Sequence, residues 1–165
     1  MPNRINVLEE TFLQGGFNST NGMVIGVAQV NKDSAKKYGW VYLKKSTDVL
    51  KSLQVLKGGV FDLHDGLAEG FNKDVKGKNI VGKHTSFLPT KQDNVLFANL
   101  VALKFSIAAS ALSKTPIGFG DLILADTAVN SLNGMTLREI AAKADTMITG
   151  YAGRTFETVE AYVNL

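Results

Sequence analysis

Hydrophobic residues are most concentrated in Asn94–Ser113, which holds the longest apolar run in the chain. A helix over this stretch would place Asn99, Ser106 and Ser110 on one narrow stripe, because they follow one another at intervals of seven and four residues. Lys104 would lie on a different face, and a charge near the middle of a bilayer is costly. The uninterrupted apolar run is also shorter than a membrane span requires. The pattern therefore predicts a buried central helix and no membrane span.

Two runs nearer the N-terminus predict a β-hairpin. Met23–Val30 is apolar and β-branched, and Tyr38–Lys45 alternates aromatic with aliphatic residues. Gly26 interrupts the first run, and it predicts a bulge or a close approach of the backbone to another element. A two-stranded hairpin is only marginally stable alone, so we expect it to pack against the helices of the same chain.

Apolar residues at three- and four-residue spacing predict the remaining helices. The clearest begins where Thr136 and Glu139 form a capping box, and we expect it to pack against the small-residue stripe of the central helix. The pair Gly58-Gly59 is interpreted as the end of an earlier helix. The predicted helices are the segment from Ser46 or Thr47 to Leu56, Val60–Phe71, Thr136–Tyr151 and Thr155–Leu165. The pattern of Arg4–Leu13 favours a short helix, with a strand as the alternative.

The segment Asn72–Asp93 is rich in lysine and turn residues, and it is predicted to be a long surface loop with at most a short extended piece. Together the elements predict one domain over residues 1–165, of the α+β class and mostly helical. An N-terminal β-hairpin would pack on a bundle of about four to five helices with a central buried helix. Residues 1–93 would supply the hairpin, the short helices and the lysine-rich loop, and residues 94–165 the helical core.

Positive charge is unevenly distributed. The formal net charge is +3, but Asn31–Lys91 holds twelve lysines, six acidic residues and no arginine. Because proteins read base edges and phosphates largely through arginine, nucleic acid is not an expected partner. The lysines predict either a solvated surface or a contact for an anionic polysaccharide. The candidate interaction residues are Lys73, Lys76, Lys78, Lys83 and Lys91, with the aromatic residues Trp40 and Tyr42.

Candidate catalytic chemistry is confined to one short cluster. The chain has no cysteine, which excludes disulfides, thiolate zinc sites and thiol nucleophiles. On the predicted helix, Asp62, Asp65 and Glu69 would share a face next to His64. This set suits a divalent cation such as calcium, or the acid/base work of a small metal-dependent hydrolase. The alternative is an exposed acidic face that offsets the nearby lysines, with no cofactor.

From Asn94 onward the chain resembles a known type of module. Two pieces that follow the apolar helix carry the resemblance, Gly118–Leu124 (GFGDLIL) and Leu132–Thr136 (LNGMT). Residues 94–165 resemble a C-terminal helical module of large secreted bacterial surface, adhesin-like proteins. The resemblance implies an extracellular or cell-surface setting and a structural or attachment role, and it carries over no catalytic residue.

These observations together favour a non-enzymatic role. We expect a structural or interaction module of a bacterial surface protein, self-assembling or adhesive, whose partners are other protein chains or copies of itself. The strand edges and the lysine-rich segment are the expected contact surfaces. The metal-dependent hydrolase and the binder of anionic polymers are the alternatives.

Overall fold

The computed structural model describes residues 7–14, 17, 22–29, 38–125 and 131–149. Over these residues the chain forms four α-helices, five short strands and a turn of 3-10 helix at Phe119–Asp121. The helices are α1 Val7–Leu13, α2 Ser46–Leu53, α3 Val95–Ala111 and α4 Leu137–Thr149. The strands are β1 Met23–Ile25, β2 Gly39–Leu43, β3 Gln54–Lys57, β4 Val60–Leu63 and β5 Gly82–His84.

Three strands form one mixed sheet in the order β1-β2-β5. β1 and β2 pair antiparallel, with Met23 opposite Leu43, as the sequence predicts. β5 pairs with β2 in parallel, with Val41 opposite His84. Side chains alternate between the two faces of a strand, so Met23, Val41 and Leu43 enter the core and are fully buried.

Gly26 directly follows β1, and its close approach to α4 confirms the predicted approach of the backbone to another element. Its φ is +86°, and a Cβ added there would lie 2.8 Å from Oγ1 of Thr149. The backbone N–H of Gly26 donates to Oδ1 of Asp145 at 2.8 Å, and that of Val27 donates to Oγ1 of Thr149 at 2.7 Å. The glycine therefore lets β1 dock its end against α4.

α3 and α4 pack against each other, and α3 also contacts α1 and β1. The stripe that carries Asn99 and Ser106 faces α4, where it lines a cavity of about 340 Å³ together with Leu137 and Ile140. The predicted contact between α4 and this stripe is therefore confirmed.

The capping box at the start of α4 is confirmed. The backbone N–H of Thr136 donates to the Glu139 carboxylate at 2.8 Å, and the backbone N–H of Glu139 donates to Oγ1 of Thr136 at 3.3 Å. The bonds from Thr136, the backbone one first, hold the pKa of Glu139 below its usual value. The residues beyond Thr149, including the predicted helix Thr155–Leu165, lie outside the described residues.

The predicted bundle of four to five helices around a central helix is wrong. Of the described residues, 39% are helical and 19% lie in strands, which form two small sheets. The helix predicted for Val60–Phe71 is instead β4 and an irregular segment, whose backbone bonds to other parts of the chain, as when the N–H of Asp65 donates to Asp93 Oδ1. The helix expected to reach Leu56 ends at Leu53, and β3 begins at Gln54.

None of the helices in the described part of the chain is long and apolar enough to cross a membrane. The longest, α3, has 17 residues, and a span needs about 20 apolar ones.

Candidate functional site

β3 and β4 form a sheet of their own, joined by the two-residue turn Gly58-Gly59. Both glycines have positive φ, +59° and +84°, as the type I′ turn of a tight hairpin requires. A side chain at either position would disfavour this backbone. The glycine pair that was interpreted as a helix end is therefore the turn that creates a hairpin.

One face of this hairpin is apolar and exposed. Leu56 lies directly opposite Phe61, and Gln54 lies opposite Leu63, so these four side chains share a face. The exposed fractions are 64% for Leu56, 57% for Phe61 and 52% for Leu63. These three apolar side chains are called the hairpin face below. Contiguous apolar side chains on a surface mark interaction sites, whereas scattered ones do not.

Other exposed apolar side chains belong to the same part of the chain. They are Leu50 on α2, Val60 at the start of β4 and Leu67 after its end. Sequence reasoning missed the hairpin face because it assigned the stretch to helices. The signal was present in Phe61–Leu63 (FDL), where apolar and polar positions alternate shortly after a glycine pair, which is typical of a strand.

His64 anchors the end of the hairpin that lies away from the Gly58-Gly59 turn. It directly follows β4, and its ring is buried. Nε2 donates to the backbone carbonyl of Ser52 at 2.8 Å, and Nδ1 accepts from the backbone N–H of Asn94 at 3.0 Å. These contacts define the neutral tautomer with the proton on Nε2. The ring thus joins the end of α2, the end of β4 and the start of α3.

The side chains of Asn94 and Gln92 extend this junction. Nδ2 of Asn94 donates to the carbonyl of Glu69 at 2.8 Å and to Oε1 of Gln92 at 3.1 Å. Nε2 of Gln92 donates to the carbonyls of Gly70 at 3.2 Å and Lys73 at 3.0 Å. Because Asn94 and Gln92 are both buried, these bonds hold the segment after β4 firmly against α3. The hairpin therefore stands on a rigid base.

The predicted metal or acid/base set does not share a helix face. Asp62 lies on β4, Asp65 and Glu69 lie in the irregular segment after it, and both ring nitrogens of His64 are engaged by backbone groups. Within the ranges that the structure describes, no group of three or more His, Asp or Glu residues could hold a metal ion. Burial raises the pKa of Glu69, and a hydrogen bond with Gln92 opposes that rise.

Three predicted interaction residues do meet. Trp40 lies opposite Lys83 across β2 and β5, and Trp40 and Tyr42 alternate with the buried side chains of β2. Nζ of Lys83 lies 4.3 Å from the centroid of the Tyr42 ring and 5.7 Å from that of Trp40. These are cation–π distances. The parallel pairing of β5 with β2 creates this arrangement.

The other predicted lysines follow the loop that leads to α3, and they are Lys73, Lys76, Lys78 and Lys91. Asp74 organises this loop by accepting the backbone N–H groups of Lys76 and Lys78, each at 2.9 Å. The bond from Lys78 is the main cause that lowers the pKa of Asp74. Nζ of Lys91 contacts Nδ1 of His84 at 3.0 Å, so that lysine is engaged within the fold.

An ion pair that sequence reasoning missed joins α3, α4 and β1. The ammonium of Lys104 contacts the Asp145 carboxylate and the carbonyl of Val24, and Asp145 also accepts from Gly26. Burial raises the pKa of Asp145, and the Lys104 charge opposes that rise. The contacts of this pair are with groups of the fold itself, which identifies it as a structural tie.

A second apolar surface lies beyond the C-terminal end of α3. Ile117, Leu122 and Ile123 are exposed there, and a cavity of about 610 Å³ is lined by Ser106, residues 115–119 and Leu122. Apart from the single bridge of Ile123 with Thr136, these residues lie outside the strands. The surface is thus comparable to the hairpin face in apolar character but not in backbone geometry.

No protein-family model, no curated protein and no solved structure matches this chain.

Proposed function

We propose that this chain is a non-enzymatic assembly module, and that its copies associate through the hairpin face. The observation that carries the proposal is the exposure of Leu56, Phe61 and Leu63 side by side on a two-stranded sheet. Removing apolar surface from water is favourable by about 25 cal/mol per Å². Covering these three large side chains with another apolar surface therefore stabilises the complex.

The shape of the surface favours a protein partner over a small molecule. Small ligands bind in concave cavities that enclose most of their surface, and the hairpin face is one side of a twisted two-stranded ribbon. Sheet surfaces and sheet edges recognise other strands, through main-chain hydrogen bonds and alternate side chains.

The rigid base favours stable association. His64 and Asn94 connect the ends of α2 and β4 to the start of α3, so the hairpin is held in place before any partner arrives. A preorganised surface loses less conformational entropy on binding than one that must first be ordered. Less of the favourable free energy of apolar contact is then offset by the cost of ordering the hairpin, and binding is tighter.

A cell-surface setting completes the proposal. The resemblance of residues 94–165 to modules of secreted bacterial surface proteins supports it, since such proteins use modules for structural or attachment roles.

Sedimentation velocity of the full chain tests the proposal. We expect the weight-average mass to rise with concentration between about 1 and about 500 µM. The triple variant Leu56→Thr/Phe61→Thr/Leu63→Thr should remain a monomer over this range, because threonine keeps the strand propensity and removes most apolar area. A wild-type chain that stays monomeric throughout would reject the proposal.

A second candidate function is the binding of an anionic polysaccharide by the outer face of the three-stranded sheet, where Trp40 and Tyr42 are half-buried. The observation that favours it is the position of Lys83 over the rings of Tyr42 and Trp40, which combines a cation with flat apolar surfaces. Binding of heparin, used as a probe, should quench Trp40 fluorescence and weaken steeply with added salt. Binding that is unaffected by salt, or by Lys83→Met, would rule this candidate out.

A further inference from the structure

Among the strands of the described residues, none pairs with the outer edge of β4. In a two-residue hairpin the residues that flank the turn, Lys57 and Val60, form a hydrogen-bonded pair, and the pairs alternate from there. Phe61 and Leu63 therefore belong to non-hydrogen-bonded pairs, and their backbone N–H and C=O groups point away from β3. Neither residue has another hydrogen-bond partner among the described residues. The edge offers two donors and two acceptors to an added strand.

The geometry points to a second copy of this chain as that added strand, paired antiparallel with β4 about a two-fold axis at Asp62. This inference rests on the proposed function and adds a contact along the β4 edge, where the hairpin faces of the two copies meet side by side. With the axis at Asp62, Phe61 of each copy faces Leu63 of the other, and these are the residues whose backbone groups point outward. Both donors and both acceptors of each edge are then satisfied.

Neighbouring registers satisfy fewer backbone groups. An axis at Phe61 would place Leu63 opposite Gly59, which lies in the turn with φ of +84°. An axis at Leu63 would place Phe61 opposite Asp65, whose N–H is already donated to Asp93 Oδ1 at 2.8 Å. A shift by a single residue would bring outward groups of one copy against inward groups of the other. Asp62 is thus the favoured centre.

The side chains of β4 fit a second copy. Residues that are paired directly share a face, so the hairpin faces of both copies join into one apolar surface with Phe61 against Leu63. Phe61 and Leu63 lie two residues apart on β4 and are apolar on the same face, so a second copy presents matching apolar side chains at this edge.

On the opposite face of the joined sheet, the Asp62 carboxylates of the two copies repel each other. The two Asp62 side chains lie directly opposite each other there, and like charges in that position disfavour pairing. Asp62→Asn removes the repulsion and keeps the size of the side chain. It should tighten association by about two- to five-fold, judged from the usual size of cross-strand charge effects.

Single-cysteine variants of the full chain test the register, because the native sequence has no cysteine. Asp62→Cys places two thiols directly opposite each other, so mild oxidation should give a disulfide-linked dimer. Val60→Cys is the matched control, since it lies on the same strand and the same face. Its Cα atoms would be roughly 14 Å apart, which is beyond the reach of a disulfide.

Each outcome has a definite meaning when the same variants are also followed by sedimentation. Crosslinking of Asp62→Cys without crosslinking of Val60→Cys supports the two-fold at Asp62. Association with equal crosslinking of both variants, or of neither, overturns this register and leaves the proposed function standing. A chain that stays monomeric at every concentration overturns both, and it leaves the β4 edge to an unrelated extended strand.

Discussion

Leu56 and Phe61 lie directly opposite each other across β3 and β4, and both side chains are more than half exposed. A cross-strand apolar pair contributes about 0.2–1 kcal/mol to a hairpin, which is little compared with the gain from covering both side chains. The exposed pair is therefore better explained as a contact surface than as an element of the core. This placement supports the proposed association through the hairpin face.

The turn that creates the hairpin gives a first prediction. Gly58→Ala should destabilise the hairpin by about 1 kcal/mol, because a Cβ disfavours the positive φ at this position. Gly58→Asn should be close to wild type, since Asn-Gly suits the same turn. Sedimentation and hydrogen exchange of the β4 amides measure the effect. An alanine variant that associates as strongly as wild type would disagree with this account.

The same turn shows where sequence reasoning failed. A glycine pair with positive φ ends helices and also makes type I′ turns, so Gly58-Gly59 fitted both interpretations. The apolar spacing of Val60–Phe71 then suggested a helix. Its structure depends on His64 and on partners such as Asp93 and Asn94, which are distant in sequence and contact this segment only in the fold.

Local signals were sufficient elsewhere. The apolar run predicted α3, which begins at the Asn94 cap, and the Thr136–Glu139 capping box predicted α4. The antiparallel pairing of β1 with β2 was also predicted. β5 was not, because it joins β2 in parallel across a long connection, and parallel pairing leaves no hairpin signal in the sequence. The contact of Lys83 with Trp40 depends on that pairing.

A second prediction concerns the junction below the hairpin. Asn94→Ala should lower the free energy of unfolding by about 2 kcal/mol, because it removes the α3 cap and leaves buried polar groups unsatisfied. Asn94→Ser should lose less, since its hydroxyl oxygen can still cap the N–H of Phe97. Urea unfolding measures both variants. Equal stability of Asn94→Ala and wild type would show that the junction contributes little.

A third prediction concerns the tie between α3 and α4. Lys104→Met should cost about 2–3 kcal/mol, because it leaves the Asp145 carboxylate buried without its cation. The double variant Lys104→Met/Asp145→Asn should lose less than Lys104→Met alone, since no charge then remains. Thermal unfolding of the single and double variants supplies the comparison. Losses that simply add would mean that the two residues act independently.

A fourth prediction concerns the pH dependence of stability. Burial first, and the charge of Lys91 second, lower the pKa of His84 below its usual 6.5. The unfolded chain therefore binds this proton at higher pH than the folded chain does. The contribution of His84 to stability is complete above about pH 6.5 and is lost as pH falls through the lowered folded value.

Urea unfolding of wild type and His84→Asn at several pH values checks this window. The stability of wild type should fall relative to the variant as pH decreases below about 6.5. Parallel curves for the two proteins would mean that His84 is not the source of the pH dependence.

The most direct test compares two matched sets of substitutions by sedimentation velocity at equal concentration. One set is the hairpin variant Leu56→Thr/Phe61→Thr/Leu63→Thr, and the other is Ile117→Thr/Leu122→Thr/Ile123→Thr on the second apolar surface. We predict that the hairpin variant is monomeric and that the second variant associates as wild type does. Association that survives in the hairpin variant and is lost in the second variant would contradict the account.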